Sequence, residues 1–169
     1  MTGKTEKHFL FTVQLNWLGE KKGILSAHDA VDTIQVATPP EFGGTGKPWS
    51  PEHLFLGAIS SCFMTTLLAF AEKFQLSIAK IDCDITGLVG IIEGKYKFTK
   101  IDVFPRVFIA EEGLRELANK VVTNTHRYCL VTNSVNAAVT YHTEVLLSAS
   151  PGLNSGQQTR ININNTIEA

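Results

Sequence analysis

The run from Ser50 to Leu76, SPEHLFLGAISSCFMTTLLAFAEKFQL, constrains the fold more than any other stretch of the chain. Ser50 is a good helix N-cap, and Pro51 suits the first helical position, where its missing N–H has no intrahelical acceptor anyway. Leu54 to Ala71 then runs for eighteen residues without a charge. At 1.5 Å per residue the whole helix would span roughly 35–40 Å, about the diameter of a compact domain of this size. A helix apolar on most sides must be covered on most sides, so the remainder of the chain is expected to wrap it. Eighteen residues is the lower limit for a membrane span. The run holds Gly57, Ser60, Ser61, Thr65 and Thr66, lacks a flanking basic cluster and lies far from the N-terminus, so a buried central helix is the expected role.

Around this helix the pattern reads as α+β. Phe9, Phe11, Val13, Leu15 and Trp17 share one parity of a half-buried strand, and Ile24–Ala27 and Thr33–Thr38 continue it as an antiparallel meander. Residues 39–49, PPEFGGTGKPW, form a loop that delivers the chain to Ser50. A strand begins near Lys80, turns at Gly94 and Lys95, and returns with a change of parity that predicts a bulge near Thr99 or Lys100. Leu114, Leu117, Ala118, Val121 and Val122 stripe a second helix over residues 111–125. A short irregular piece, residues 128–135, leads into a final strand over Ala137–Leu147. The order βββ, long α, ββ, α, β excludes a parallel α/β fold. Residues 1–147 make one domain, and residues 148–169 form a polar tail in which Thr159 to Ile167 alternates enough to suggest an added edge strand.

A net charge of −1 with no Lys/Arg cluster argues against nucleic acid or an anionic membrane as partner. The polar opening MTGKTEKHF is not a secretory signal, and three cysteines without a CxxC pair do not make a secreted disulfide framework. A reducing, cytoplasmic setting is therefore expected, where a functional cysteine is catalytic rather than structural. The five histidines (His8, His28, His53, His126, His142) show no metal-ligand spacing, so no metal and no cofactor is expected. Gly43, Gly44 and Gly46 precede a helix but lack the lysine-serine ending of a phosphate loop, so a tight turn is their expected role.

The cysteines differ in setting. Cys83 is in register with Ile81 and Ile85 and reads as a small core hydrophobe. Cys62 sits in the middle of the apolar helix, where burial raises a thiol pKa and the helix dipole has faded. It is either inert packing or a nucleophile that needs a cation from elsewhere. Cys129 follows His126 and Arg127 and precedes Thr132 and Asn133, a setting that suits an exposed thiol.

PEHLFLGAISSCF, followed much later by CLVTN, resembles the paired signature of the OsmC/Ohr family over residues 8–147. The resemblance implies an OsmC-like fold, with antiparallel sheets around a long central helix in an intertwined homodimer. It also implies a thiol peroxidase that reduces organic hydroperoxides and is recycled by a dithiol, of lipoyl type or a similar small thiol. Carried over, Cys62 is the peroxidatic residue, Cys129 the resolving residue, and Glu52 the acid that positions a cation beside the thiolate. Leu130 stands where the family commonly has proline, and the chain has no arginine before Arg106 to match the family's arginine N-terminal to the helix. Lys22 is the first candidate for that charge, followed by Lys21, Lys47 and then Arg127. The alternative function on the same fold is binding of a small apolar ligand without turnover.

Overall fold

A computed structural model describes residues 7–148; the expected edge strand of the tail lies outside them. The elements are β1 (Gln14–Gly19), β2 (Lys22–Ser26), β3 (Ile34–Ala37), α1 (Pro51–Lys73), β4 (Ile78–Ile92), β5 (Lys95–Ile109), α2 (Arg115–Tyr128), β6 (Ala138–Tyr141) and β7 (Glu144–Leu147). The α+β order read from the sequence is the order observed. Strands β1, β2 and β3 form an antiparallel meander. The second sheet is built on the long β4–β5 hairpin, with β6 and β7 pairing in succession, both parallel, along the other edge of β5. The final strand expected over 137–147 is thus two strands that keep one register on β5 and are interrupted at residues 142–143, opposite Phe104 and Pro105, where proline has no N–H to continue the ladder.

Local chemistry accounts for the boundaries. The Ser50 hydroxyl accepts from the His53 N–H at 3.2 Å, while His53 Nδ1 accepts from the Ser50 N–H at 3.3 Å, a reciprocal cap that fixes the start of α1. The β4–β5 turn is Glu93-Gly94, with φ of 52° and 74°, the doubly left-handed pair that matches hairpin twist. In the ladder, Leu88 faces Lys100 and Val89 faces Phe98, leaving Thr99 as the extra residue of the predicted bulge. In the loop before α1, a Cβ on Gly44 would lie 1.6 Å from the Thr38 carbonyl oxygen, so only glycine allows this close approach.

Two apolar clusters join α1 to the second sheet. Phe63, Leu67 and Ala71 pack with Val107 and Ile109 of β5 and with Ala118, Val121 and Val122 of α2. Nearer the helix start, Ile59 packs with Ile101 and Val103, and the partly buried Cys83 joins this group, in keeping with its expected inward register. The covering of α1 differs from expectation. Only Ile59, Phe63, Leu67 and Ala71, a stripe at four-residue spacing, are buried, whereas Met64 and Leu68 are 41% and 45% exposed. The helix is long and apolar enough to cross a membrane. Its buried stripe, however, is committed to the β-sheet and α2. The meander is similarly bare: Leu15 and Trp17, expected on a half-buried face, are 63% and 74% exposed.

Leu67→Ala removes a fully buried side chain between α1, α2 and β5, and is expected to destabilise the fold by about 2–5 kcal/mol. Urea unfolding of the two proteins measures the difference.

Candidate functional site

Cys62 projects from the middle of α1 toward the turn that follows α2. That turn begins at Cys129, the C-cap of α2, whose extended backbone (φ −63°, ψ 111°) directs the chain back across α1. The turn is pinned from several sides. The Asn133 N–H and the Thr132 hydroxyl both donate to the Cys129 carbonyl, at 3.1 and 3.2 Å, and Asn133 Nδ2 donates to the Arg127 carbonyl at 3.0 Å. Held in this way, the turn presents the Val131 N–H to Cys62 Sγ at 3.5 Å. Thr66, one helical turn beyond Cys62, places its hydroxyl oxygen 3.9 Å from the same sulfur.

These contacts set the acidity of the thiol. Burial pushes Cys62 up, but the Val131 N–H, the Cys129 side chain, the Thr66 hydroxyl and the Leu130 N–H together outweigh it and hold the thiol below its ordinary value. No lysine or arginine is among these influences. Leu130, where proline would have had no N–H to give, adds a donor. Cys83 is the opposite case, pushed up to about 11 by burial and by the neighbouring Asp84 carboxylate.

Cys62 and Cys129 are therefore brought together. Cys129, however, is fully buried, not the exposed thiol its polar sequence neighbours suggested, because the turn folds it beneath itself against α1. Glu52 and Lys22 are not at the sulfur within one chain. Glu52 is ten residues earlier on α1, about 15 Å along the axis. It lines a separate cavity of about 510 Å³ with Phe42, Leu56, Val89, Tyr96 and Phe98, and its Oε2 is buried without a hydrogen-bond partner. Lys22 pairs with Glu20 at 3.1 Å on the surface of the meander turn. Lys21 donates to the Phe42 and Gly43 carbonyls and so staples the loop before α1. Arg127 lies over the Tyr128 ring, 5.4 Å from its centroid, and Lys47 is exposed in the loop.

The sequence reading gave no role at the sulfur to Thr66 or to the amide donors of Leu130 and Val131. The i,i+4 spacing could have found Thr66; the rest depend on how the turn folds. Among the described residues, no group of three or more His, Cys, Asp and Glu side chains is placed to hold a metal ion.

With this geometry in view, the comparisons with known proteins are specific. The family model for OsmC-like proteins matches residues 44–144. The Bacillus subtilis protein YmaD, itself described as uncharacterized, is 24% identical over 143 residues, covering 83% of this chain and 93% of its own. An OsmC-like protein of unknown function from Vibrio cholerae superposes with a TM-score of 0.70 at 21% identity, covering 82% of this chain and all of its own. An organic hydroperoxide resistance protein from Elizabethkingia anophelis gives 0.64 at 18% identity, covering 85% of this chain and all of its own. At these identities the structural matches establish the fold.

Because its pKa is lowered, Cys62 carries more thiolate at neutral pH than an ordinary thiol and should alkylate first; Cys83 should become reactive only as pH approaches about 11. Iodoacetamide labelling read by peptide mass against pH measures both midpoints. Thr66→Val should move the Cys62 midpoint upward and leave that of Cys83 in place.

Proposed function

The chain belongs to the OsmC-like protein family, and from that premise we propose that it is a cysteine-based thiol peroxidase acting on organic hydroperoxides. The observation that carries this reading is the contact of Cys62 with Cys129 under the Val131 N–H. The Cys62 thiolate attacks the outer peroxide oxygen; the O–O bond breaks, an alkoxide leaves and takes a proton, and Cys62 becomes a sulfenic acid. Cys129 then attacks the Cys62 sulfur, forming the disulfide and releasing water, and an external dithiol restores both thiols. Such a cycle suits a reducing, cytoplasmic compartment.

The same reading includes a homodimer. In one chain the outer face of α1 and the apolar face of β1 lack cover, and the buried Glu52 oxygen lacks a partner. A two-fold arrangement covers these faces and lets Glu52, with Lys22 as the cation it positions, act on the Cys62 of the other subunit. The apolar lining of the Glu52 cavity favours one other reading, a binder of a small apolar molecule without turnover.

Cumene hydroperoxide and hydrogen peroxide separate the readings. Rapid thiol loss with the organic peroxide, followed by a Cys62–Cys129 disulfide with Cys83 still reduced, is the expected result of peptide mapping. With Cys129→Ser, Cys62 should proceed to sulfinic acid, because no second thiol captures the sulfenate. No thiol loss, together with tight binding of an apolar probe, would leave the binder; a disulfide through Cys83 would sink the assignment of roles.

Sedimentation of the dilute protein should give a dimer, and Leu68→Lys, which places a charge on the bare face of α1, should shift it to monomer. Lys22→Ala should raise the Cys62 alkylation midpoint, and Lys22→Arg should restore it. A monomeric wild-type protein would remove the two-fold account of Glu52 and Lys22.

A further inference from the structure

Tyr141, at the end of β6, has no part in the chemistry described so far. Its ring is held in place by stacking on His126, with centroids 4.0 Å apart and planes at 16°, and by Phe63 at 5.8 Å. Its hydroxyl donates to Thr132 Oγ1 at 3.3 Å, and Thr132 in turn donates to the Cys129 carbonyl. The Cys129 side chain is near enough to raise the Tyr141 pKa, so the thiol and the phenol share one cluster with Thr132. One phenol is therefore bonded to the residue that pins the Cys129 backbone and stands in the same cluster as its thiol. Alternation along residues 137–141 marks Tyr141 as a core position, and a valine or leucine would fill that role without a polar atom.

We infer that Tyr141 is the positioning residue for Cys129: its hydroxyl orients the buried thiol toward Cys62 and donates to the sulfur when Cys129 attacks as a thiolate. With the thiol neutral, the hydrogen bonds run in one direction, from Tyr141 to Thr132 to the Cys129 carbonyl. On ionisation the phenol can rotate its O–H from the Thr132 oxygen to the sulfur, a charge-assisted bond of the stronger kind. The titratable groups around Cys129 are Cys62 from α1, His126 from its own helix and Tyr141 from β6. Burial lowers the His126 pKa and keeps the ring neutral, with Nε2 already engaged by the Thr143 hydroxyl at 3.0 Å. Arg127, the nearest cation in sequence, is turned outward over Tyr128. Tyr141 stays protonated through the working range, pushed up to about 12 by burial first, with the Thr132 hydrogen bond opposing and the two cysteines adding to the rise.

The inference rests on the pairing of the two thiols in the proposed function, but it can be tested without peroxide. In a Cys83→Ser chain, Ellman's reagent reacts with Cys62 to leave a mixed disulfide and release one thionitrobenzoate. Cys129 then loses its proton to solvent and attacks Cys62; the mixed disulfide bond breaks, the Cys62–Cys129 bond forms, and a second thionitrobenzoate leaves. That second release is first-order, and its pH dependence reports the ionisation of Cys129. Tyr141→Phe keeps the ring and its stacking. It should slow the second release about tenfold at neutral pH and move its midpoint up by about one unit, leaving the first release within about twofold. A second release with an unmoved midpoint, whether slowed uniformly or not, would overturn the inference, since loosened packing changes the rate at every pH alike.

Should Tyr141→Phe fail to fold, 3-fluorotyrosine can be incorporated into a Tyr96→Phe, Tyr128→Phe chain, which keeps the shape and strengthens the donor. The midpoint should then fall, and an unmoved midpoint overturns the inference. No second release from the unaltered Cys83→Ser chain would overturn both the inference and the thiol pairing. Normal second release with no reaction toward cumene hydroperoxide would overturn the peroxidase reading alone.

Discussion

A thiol in the middle of a helix cannot draw on the helix dipole, and its own backbone N–H is already spent on the preceding turn. Its ionisation is decided by what other elements bring to it. Here the donors come from a helix end, the one place in regular structure where the chain must turn and expose amides that no helical carbonyl claims. The turn after α2 crosses the centre of α1, and the Val131 N–H meets Cys62 Sγ. The placement of α2 against α1 through Ala118, Val121 and Val122 therefore has a chemical consequence beyond stability. A slip of one residue in that packing would carry the amides away from the sulfur.

The same helix is covered on one side. Burial follows a four-residue stripe from Ile59 to Ala71, and the face carrying Met64 and Leu68 remains open. Exposed apolar side chains of this kind, with Leu15 and Trp17 also bare on the meander, are characteristic of association surfaces. The Glu52 oxygen, buried without a partner, adds a polar argument of the same kind, because an unsatisfied buried carboxylate is costly until a donor reaches it. Charge balance is thus divided. Backbone amides and a hydroxyl serve the sulfur inside the chain, while the lysines near the helix start serve carbonyls or Glu20.

Local chemistry made much of the fold legible in the sequence. Ser50-Pro51 marked the start of α1, the parity change around Thr99 marked the bulge, and the stripe from Leu114 to Val122 marked the second helix, because caps, pleats and helical periodicity act over a few residues. The split of the last strand was not legible, since residues 142–143 lose their ladder partner only because the fold sets them opposite Pro105 of a different strand. Nor was the exposure of β1, whose alternation showed only that one face was apolar, not what would cover it.

At the site the division is the same. The resemblance of their two motifs to the OsmC/Ohr signature singled out Cys62 and Cys129, and strand register set Cys83 aside as a core residue. Polar neighbours in sequence pointed to an exposed Cys129, but a side chain's surroundings are set by the fold, and the turn buries it. The amides of Leu130 and Val131 carry no side-chain signature, and Tyr141 looks like any core residue of an alternating strand. Their roles exist only where α2, the turn and β6 converge on α1, because a hydrogen bond to sulfur depends on distance and direction, which are fixed by tertiary packing and not by residue type.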